Sequence, residues 1–450
     1  MVKKHHKTIF LCKKNKHTIR IKKLKPFDEI FEDSIWCMFQ KMGFTEMNKD
    51  RNFKLSYSDE NTLMQQIDIF AADSETILIV KCKASDEQLK KASFKETIEA
   101  IGGKKEGLLR TIRASFPEAK HKIKFIFATN NYIINENDQE RLRNYDIIHF
   151  DDEVISYYIE LTKHLGTSAR FQLQGFLFSG QNVPELDTRV PAIQGKIGGH
   201  TFYSFSIEPE KLLKISYVLH RNNANKKMMP TYQRIIKKSR LIIIKQFLDN
   251  GGFFPNSIVI NIVSNCKKIR FDIASPQIES ALSKIGILYL PQTYRSAYII
   301  DGQHRLYAYG ESEYKSKHTI PVVAFVDLER EEQIRLFMQI NENQKAVSKN
   351  LQNTLNSDLL WDSPNLLEQI KALKLQIAQS LGEDFDSPLH NRVIIGEAEK
   401  NRVRCISIET IKTGLDRSNF FGEFTRNSIK VDGTFYKGNN DSTLEYILPF

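Results

Sequence analysis

No apolar run in the sequence approaches the roughly 18 residues that a membrane-spanning helix needs. The basic N-terminus is not followed by an apolar segment either, so the pattern of a secretory signal is missing. Cysteine is scarce and unpatterned: Cys12, Cys37, Cys82, Cys266 and Cys405 are scattered, odd in number and form no C-x-x-C pair. That spacing argues against a disulfide framework and a zinc pair, and a reducing cytoplasm is the expected compartment. Acidic residues are absent where they would matter most. The first 25 residues hold ten Lys and Arg and no Asp or Glu. Taking those ten from the 65 Lys and Arg leaves 55, against 54 Asp and Glu, so the formal net charge of +11 is almost entirely a property of that arm.

With 450 residues, 41% of them hydrophobic and 26% charged, the chain can bury the cores of two or three globular domains. The arm, residues 1–25, has two readings. A concentrated cationic segment draws polyphosphate by releasing counterions, which points to DNA; a solubilising tail has the same composition. Ile9, Phe10, Leu11, Ile19 and Ile21 also allow part of it to be an edge strand.

Residues 26–165 read as one domain. In "PFDEIFEDSIWCMFQKMGF", Phe27, Ile30, Phe31, Ile35, Met38, Phe39 and Met42 recur at intervals that place them on one helical stripe, with Gly43 as the stop. The stretch "LMQQIDIFAADSETILIVKCKAS" reads as a hairpin: a strand ending near Asp68–Phe70, a turn at Asp73-Ser74, and a buried strand over Thr76–Cys82. Residues 86–114 read as helix, 121–131 as a buried strand and 153–164 as a closing helix.

That order, with Glu32 on the first helix, Asp68 near the end of one strand and Lys83 near the end of the next, resembles the PD-(D/E)XK restriction-endonuclease superfamily in its Mrr-like branch. The resemblance implies that carboxylates, Asp68 first among them, hold Mg²⁺ against a DNA phosphate while the lysine activates water. The sequence departs from the pattern at Lys81, where the family expects an acid two residues before the lysine. Three readings follow: a Mg²⁺-dependent nuclease, a degenerate nuclease fold kept for binding DNA, and an unrelated α/β domain whose Asp68 and Lys83 are solvated. Glu29 and Asp33 are the acids that could replace the missing ligand.

From residue 166 glycines and short apolar runs replace the earlier pattern. "PEKLLKISYVLHR" (209–221) reads as a helix, a basic linker follows, and a second helix stops at Gly251-Gly252. "NSIVINIV" is a β-branched strand. In "AYIIDGQHRLYAYG" (297–310) a strand runs into Asp301-Gly302 and a helix opens immediately after. A strand, a glycine turn and a helix start place free backbone N–H groups and the positive end of a helix dipole together, which favours an anion. Gln303, His304 and Arg305 add an amide, an imidazole and a planar fork of donors. Another strand, "TIPVVAFVDL", leads into a helix that ends in the amide-rich Asn341-Glu342-Asn343-Gln344. Residue types alone leave two readings here, a capped turn or a phosphate site.

"DGQHR", "INENQKAVSKNL", "GGFFPNSIVIN" and "SPLHNR" together resemble the DGQHR-domain family, which includes DndB-type proteins of DNA phosphorothioation and related proteins of DNA-deazaguanine modification. The resemblance implies a ParB/sulfiredoxin-like core whose glycine turn binds nucleotide phosphates. Gln303 stands where sulfiredoxin carries its reactive cysteine, so thiol chemistry is excluded at this site. The expected roles are Gly302, His304 and Arg305 on nucleotide phosphate, Gln303 orienting water, Asp301 holding hydrated Mg²⁺ or orienting Arg305, and Asn341 and Gln344 nearby. The expected fold class is thus mixed α/β and α+β in two domains: restriction-endonuclease-like at 26–165, then ParB/sulfiredoxin-like at 166–450 with a helical C-terminal part. The expected function is a DNA-associated, nucleotide-binding protein, with ATP hydrolysis as its candidate activity, acting with other proteins of a prokaryotic DNA-modification or antiphage locus. ATP or another nucleotide and Mg²⁺ are its expected cofactors. A Mg²⁺ nuclease and a non-enzymatic DndB-like regulator are the alternatives.

Overall fold

The apolar stripe read between Phe27 and Met42 folds as helix α1 (Phe27–Lys41), which buries Phe31, Ile35, Met38 and Phe39. Pro26 precedes it, Asp28 and Glu29 occupy its positive first turn, and Gly43 follows with φ +89°. The computed structural model describes residues 9–14, 19–58, 62–87, 90–117, 121–218, 238–264, 268–274, 282–342, 349–396, 398 and 400–448; for 9–14, 19–23 and 341–342 it describes backbone alone. The chain divides into two compact units, Met1–Leu177 and Phe178–Phe450.

In the first unit the strands β1 (Ile9–Lys14) and β2 (Ile19–Lys23) pair antiparallel with each other as a two-stranded ribbon within the basic arm. After α1 come β3 (Glu46–Met47), a small hairpin of β4 (Lys54–Ser56) and β5 (Met64–Gln66), then β6 (Ile69–Ala72) and β7 (Thr76–Ala84). The chain continues through β8 (Lys90–Ala92), α2 (Lys95–Ser115), β9 (Lys122–Asn130), β10 (Tyr132–Ile134), α3 (Glu136–Asn144), β11 (Ile147–Phe150), α4 (Asp152–Leu165) and α5 (Ala169–Leu177). The central sheet has the order β11-β9-β7-β6-β3. Its β11, β9 and β7 are parallel, whereas β6 and β3 join antiparallel. Parallel central strands are covered on both faces, so they read as continuous apolar runs rather than alternations; Ile77–Val80 and Phe125–Ala128 are buried throughout.

Two expectations shift here. The helix read over 86–114 begins at Lys95, because Lys90–Ala92 pairs parallel with β10 instead. The unit closes at Leu177 rather than near 165, because α5 is tied to the β6–β7 turn. Asp73 accepts from the Glu75 and Thr76 amides at 2.8 and 2.6 Å, and Gln174 donates to it at 3.2 Å. Arg170 completes the link with an ion pair to Asp73 at 3.4 Å.

The second unit opens with a long hairpin, β12 (Arg189–Ile197) and β13 (His200–Ile207), then α6 (Pro209–Ile215), β14 (Ser216–Tyr217), α7 (Lys238–Asp249), β15 (Ile258–Ile262), β16 (Phe271–Ile273) and β17 (Lys284–Tyr289). β18 (Ala297–Asp301), α8 (Gln303–Gly310) and β19 (Ile320–Val326) follow. Its sheet has the order β14-β18-β15-β19-β13-β12-β17-β16 and mixes parallel with antiparallel pairs. The helix expected over 209–221 stops at Ile215. Ser216 turns extended, with φ −84° and ψ 152°, and Ser216-Tyr217 pair with Ala297-Tyr298 at the edge of the sheet.

Beyond the sheet lie α9 (Arg330–Glu342), α10 (Lys349–Leu359) and α11 (Leu366–Glu383), then the short parallel pair β20 (Val393–Ile394) and β21 (Ile406–Ser407). α12 (Ile408–Arg417), the hairpin β22 (Gly422–Phe424) and β23 (Ile429–Asp432), and α13 (Asn440–Ile447) complete it. Ile300 of β18 joins Ile334 and Phe337 of α9 and Leu351 and Leu355 of α10 in one buried cluster, which anchors the strand that carries the turn.

Candidate functional site

β18 is held between β14 and β15, and Ile299 and Ile300 are buried. Packing therefore fixes the strand up to its last residue, Asp301. Gly302 then takes φ +94° and ψ 10° and heads α8, a conformation that side chains disfavour. Space is tight as well: a Cβ at Gly302 would stand 2.5 Å from Ile258 Cδ1 and 3.0 Å from Arg305 Nη2, so one or both side chains would have to shift. The Leu306 amide donates to the Gly302 carbonyl at 3.0 Å, closing the first turn. The amides of Gln303, His304 and Arg305 are thus the first N–H groups of α8, at its positive end. Gln303 is 6% exposed, whereas His304 and Arg305 are half-buried.

Arg305 is turned inward. Its Nη2 donates to Asp301 Oδ2 at 3.1 Å and to the Ser257 carbonyl at 3.3 Å, and its Nη1 donates to the Asn256 carbonyl. Nη1 and Nη2 of the fork thus tie the head of α8 to the loop before β15. The sequence reading of Arg305 as a phosphate ligand meets a guanidinium already engaged with three oxygens. Its alternative for Asp301, orientation of Arg305, is the contact present. The pairing has an electrostatic consequence: an isolated carboxylate at this position would oppose an anion, and Arg305 cancels it while leaving the dipole of α8 in place. Of the two amides expected nearby, Asn341 lies in the last turn of α9 with only its backbone described, and Gln344 lies outside the described residues.

In the first unit the nuclease-like residues are brought partly together. Asp68, 7% exposed, precedes β6 and stands across from Lys81 of β7. Its Oδ1 accepts from Lys81 Nζ at 2.8 Å and its Oδ2 from the Cys82 amide at 2.7 Å. Glu32 lies in the same electrostatic neighbourhood. Burial pushes its carboxyl above the usual range and Asp68 adds to this, while the bond from Arg51 pulls it back. Burial, then Asp68 and Glu32, push the Cys82 thiol well up.

Glu29 and Asp33, the acids that could have replaced the missing ligand, turn to Arg51 with Glu32. Arg51 reaches Glu32 at 2.9 Å and Glu29 at 3.4 Å and also pairs with Asp33. No sequence pattern announced Arg51, which lies 18–22 residues from its partners. At the carboxyl ends of the parallel strands, His149 of β11 meets the buried Thr129 Oγ1 of β9 at 2.9 Å, and burial lowers its pKa.

These contacts decide how Mg²⁺ would fare. Asp68 already carries an ammonium, and Asp301 a guanidinium. Each unit charge brought to about 4 Å of a like charge costs about 4 kcal/mol in a protein surface environment, so a divalent ion beside Lys81 is strongly opposed. Among the described residues no three His, Cys, Asp or Glu side chains gather as a metal site. The described residues therefore do not fit Mg²⁺ at either carboxylate. At the head of α8 the groups beside the turn are instead first-turn backbone N–H groups and a half-buried imidazole.

Comparison with known families places this turn in context. Residues 190–373 match a family of DNA-sulfur modification-associated proteins. The family is DndB, and the match runs from β12 into α11, so that the second unit contains a DndB-like domain with the Asp301–Arg305 turn inside it. The match spans less than half of the chain. Searches of curated proteins and of solved structures returned no match. No helix among the described residues is long and apolar enough to cross a membrane.

Proposed function

We propose that the chain is a DNA-associated, nucleotide-binding component of a DNA-modification or antiphage locus, with the Asp301–Arg305 turn receiving nucleotide phosphate. The observation that carries this reading is the left-handed Gly302 at the head of α8, enclosed by Ile258 and Arg305 within a DndB-like domain. In this role the amides of Gln303 and His304 and the His304 imidazole hold the phosphate, and the left-handed Gly302 sets the turn that orients them. Arg305 is a positioning residue, since its donors secure the turn. DNA is the partner suggested by the basic arm and by the family, and other proteins of the locus are its expected company.

Hydrolysis is the second step of this proposal. The buried amide of Gln303 beside the first turn is the group that would orient a water, but the inward Arg305 supplies little charge to a transition state. Binding with slow or no turnover is the expected balance, which also accommodates a DndB-like regulator. A calorimetric titration of nucleoside triphosphates into the full chain, with and without duplex DNA and followed by phosphate release, tests both steps. Saturable binding without fast release supports the reading, and no binding under any condition removes it.

A further inference from the structure

Lys81 and Lys83 lie two residues apart on β7, so they share one face of the strand. Their situations differ. Lys81, with its side chain 28% exposed, is spent on Asp68, whose side chain is 5% exposed. Both oxygens of Asp68 are occupied, by Lys81 Nζ and by the Cys82 amide. Lys83, half-buried near the end of the same strand, has no ion-pair partner among the described residues. Three acids of α1, Glu29, Glu32 and Asp33, pair with Arg51. Among the described residues the result is a compensated centre next to one ammonium without an ion-pair partner.

We propose that Lys81 is the resident cation of this acidic centre and that Lys83 presents its ammonium to a DNA backbone phosphate, so that the first unit grips DNA without a metal and without cutting it. The inference rests on the DNA-binding part of the reading above and gives it a contact. A divalent ion would have to displace Lys81 from Asp68, leaving that ammonium beside the incoming charge. A phosphate faces no such obstacle at Lys83, and neutralising it releases one counterion equivalent.

The test is the salt dependence of duplex binding by the full chain, read by anisotropy of a fluorescein-labelled duplex in EDTA and in Mn²⁺. Wild type is expected to bind equally in both and to leave the duplex intact. Lys83→Met should lower the slope of log K against log salt by about one, with an unchanged melting temperature, and Lys83→Arg should restore it. Binding that keeps its slope in Lys83→Met, binding that EDTA abolishes, or cleavage in Mn²⁺ overturns the inference alone. Absence of duplex binding in every form overturns the DNA reading and the inference with it.

Discussion

Arg305→Ala separates a clamp from a ligand. The guanidinium donates to Asp301, Asn256 and Ser257, with its side chain 17% exposed and that of Asp301 23% exposed. Hydrogen bonds from a charged group are each worth about 1.5–3 kcal/mol, and removing one partner leaves the others to find water. The three bonds share one fork and do not add, and the carboxylate left behind is partly hydrated. We expect a loss of about 2–4 kcal/mol, which corresponds to roughly 3–7 °C in a unit of this size. Urea unfolding followed by circular dichroism measures it, and Arg305→Lys, which keeps the charge without the fork, should recover only part. Nucleotide affinity should fall in parallel with stability. An Arg305→Ala protein that unfolds at the wild-type urea concentration yet loses nucleotide binding would refute the clamp and make Arg305 a phosphate ligand.

Other outcomes follow from the same geometry. Gly302→Ala should reduce nucleotide affinity at least tenfold, because its Cβ would meet Ile258 and the φ of +94° disfavours it; calorimetry at matched folding, checked by circular dichroism, reads this. Lys81→Met should cost about 2–4 kcal/mol by stranding Asp68, and adding Asp68→Asn should recover most of that loss in a double-mutant unfolding cycle. For His149 the folded pKa lies below the unfolded one because of burial. Its contribution to stability is therefore complete above about pH 6.5 and is lost as pH falls through the folded pKa. The urea midpoint of His149→Gln should accordingly depend less on pH between 7.5 and 5 than that of wild type.

The regular frame was legible where local pattern and burial agree. Ile258–Ile262, Ala297–Asp301 and Ile320–Val326 are β-branched or apolar runs that became neighbouring strands, and the stripe of α1 gave its buried face except at Phe27 and Ile30, which are exposed. The Asp301-Gly302 turn was readable because only a residue without a Cβ suits its φ. What pattern missed depends on distant partners. Strands of two or three residues such as β3, β4 and β8 exist through pairing rather than propensity. The capture of Glu29, Glu32 and Asp33 by Arg51 joins α1 to a loop with no periodic signal. The inward rotation of Arg305 depends on carbonyls 48 and 49 residues earlier. Lys81 was visible as a departure from the nuclease pattern, but its bond to Asp68 needed the register of β6 on β7.

The most direct test of the nucleotide-binding claim is a calorimetric titration of ATP into the full chain with duplex DNA present, with Gly302→Ala as the paired control. Saturable binding to wild type that weakens at least tenfold in a folded Gly302→Ala protein is the predicted result. Equal binding by both proteins, or none by wild type with any nucleoside triphosphate, would contradict the assignment of the Asp301–Arg305 turn.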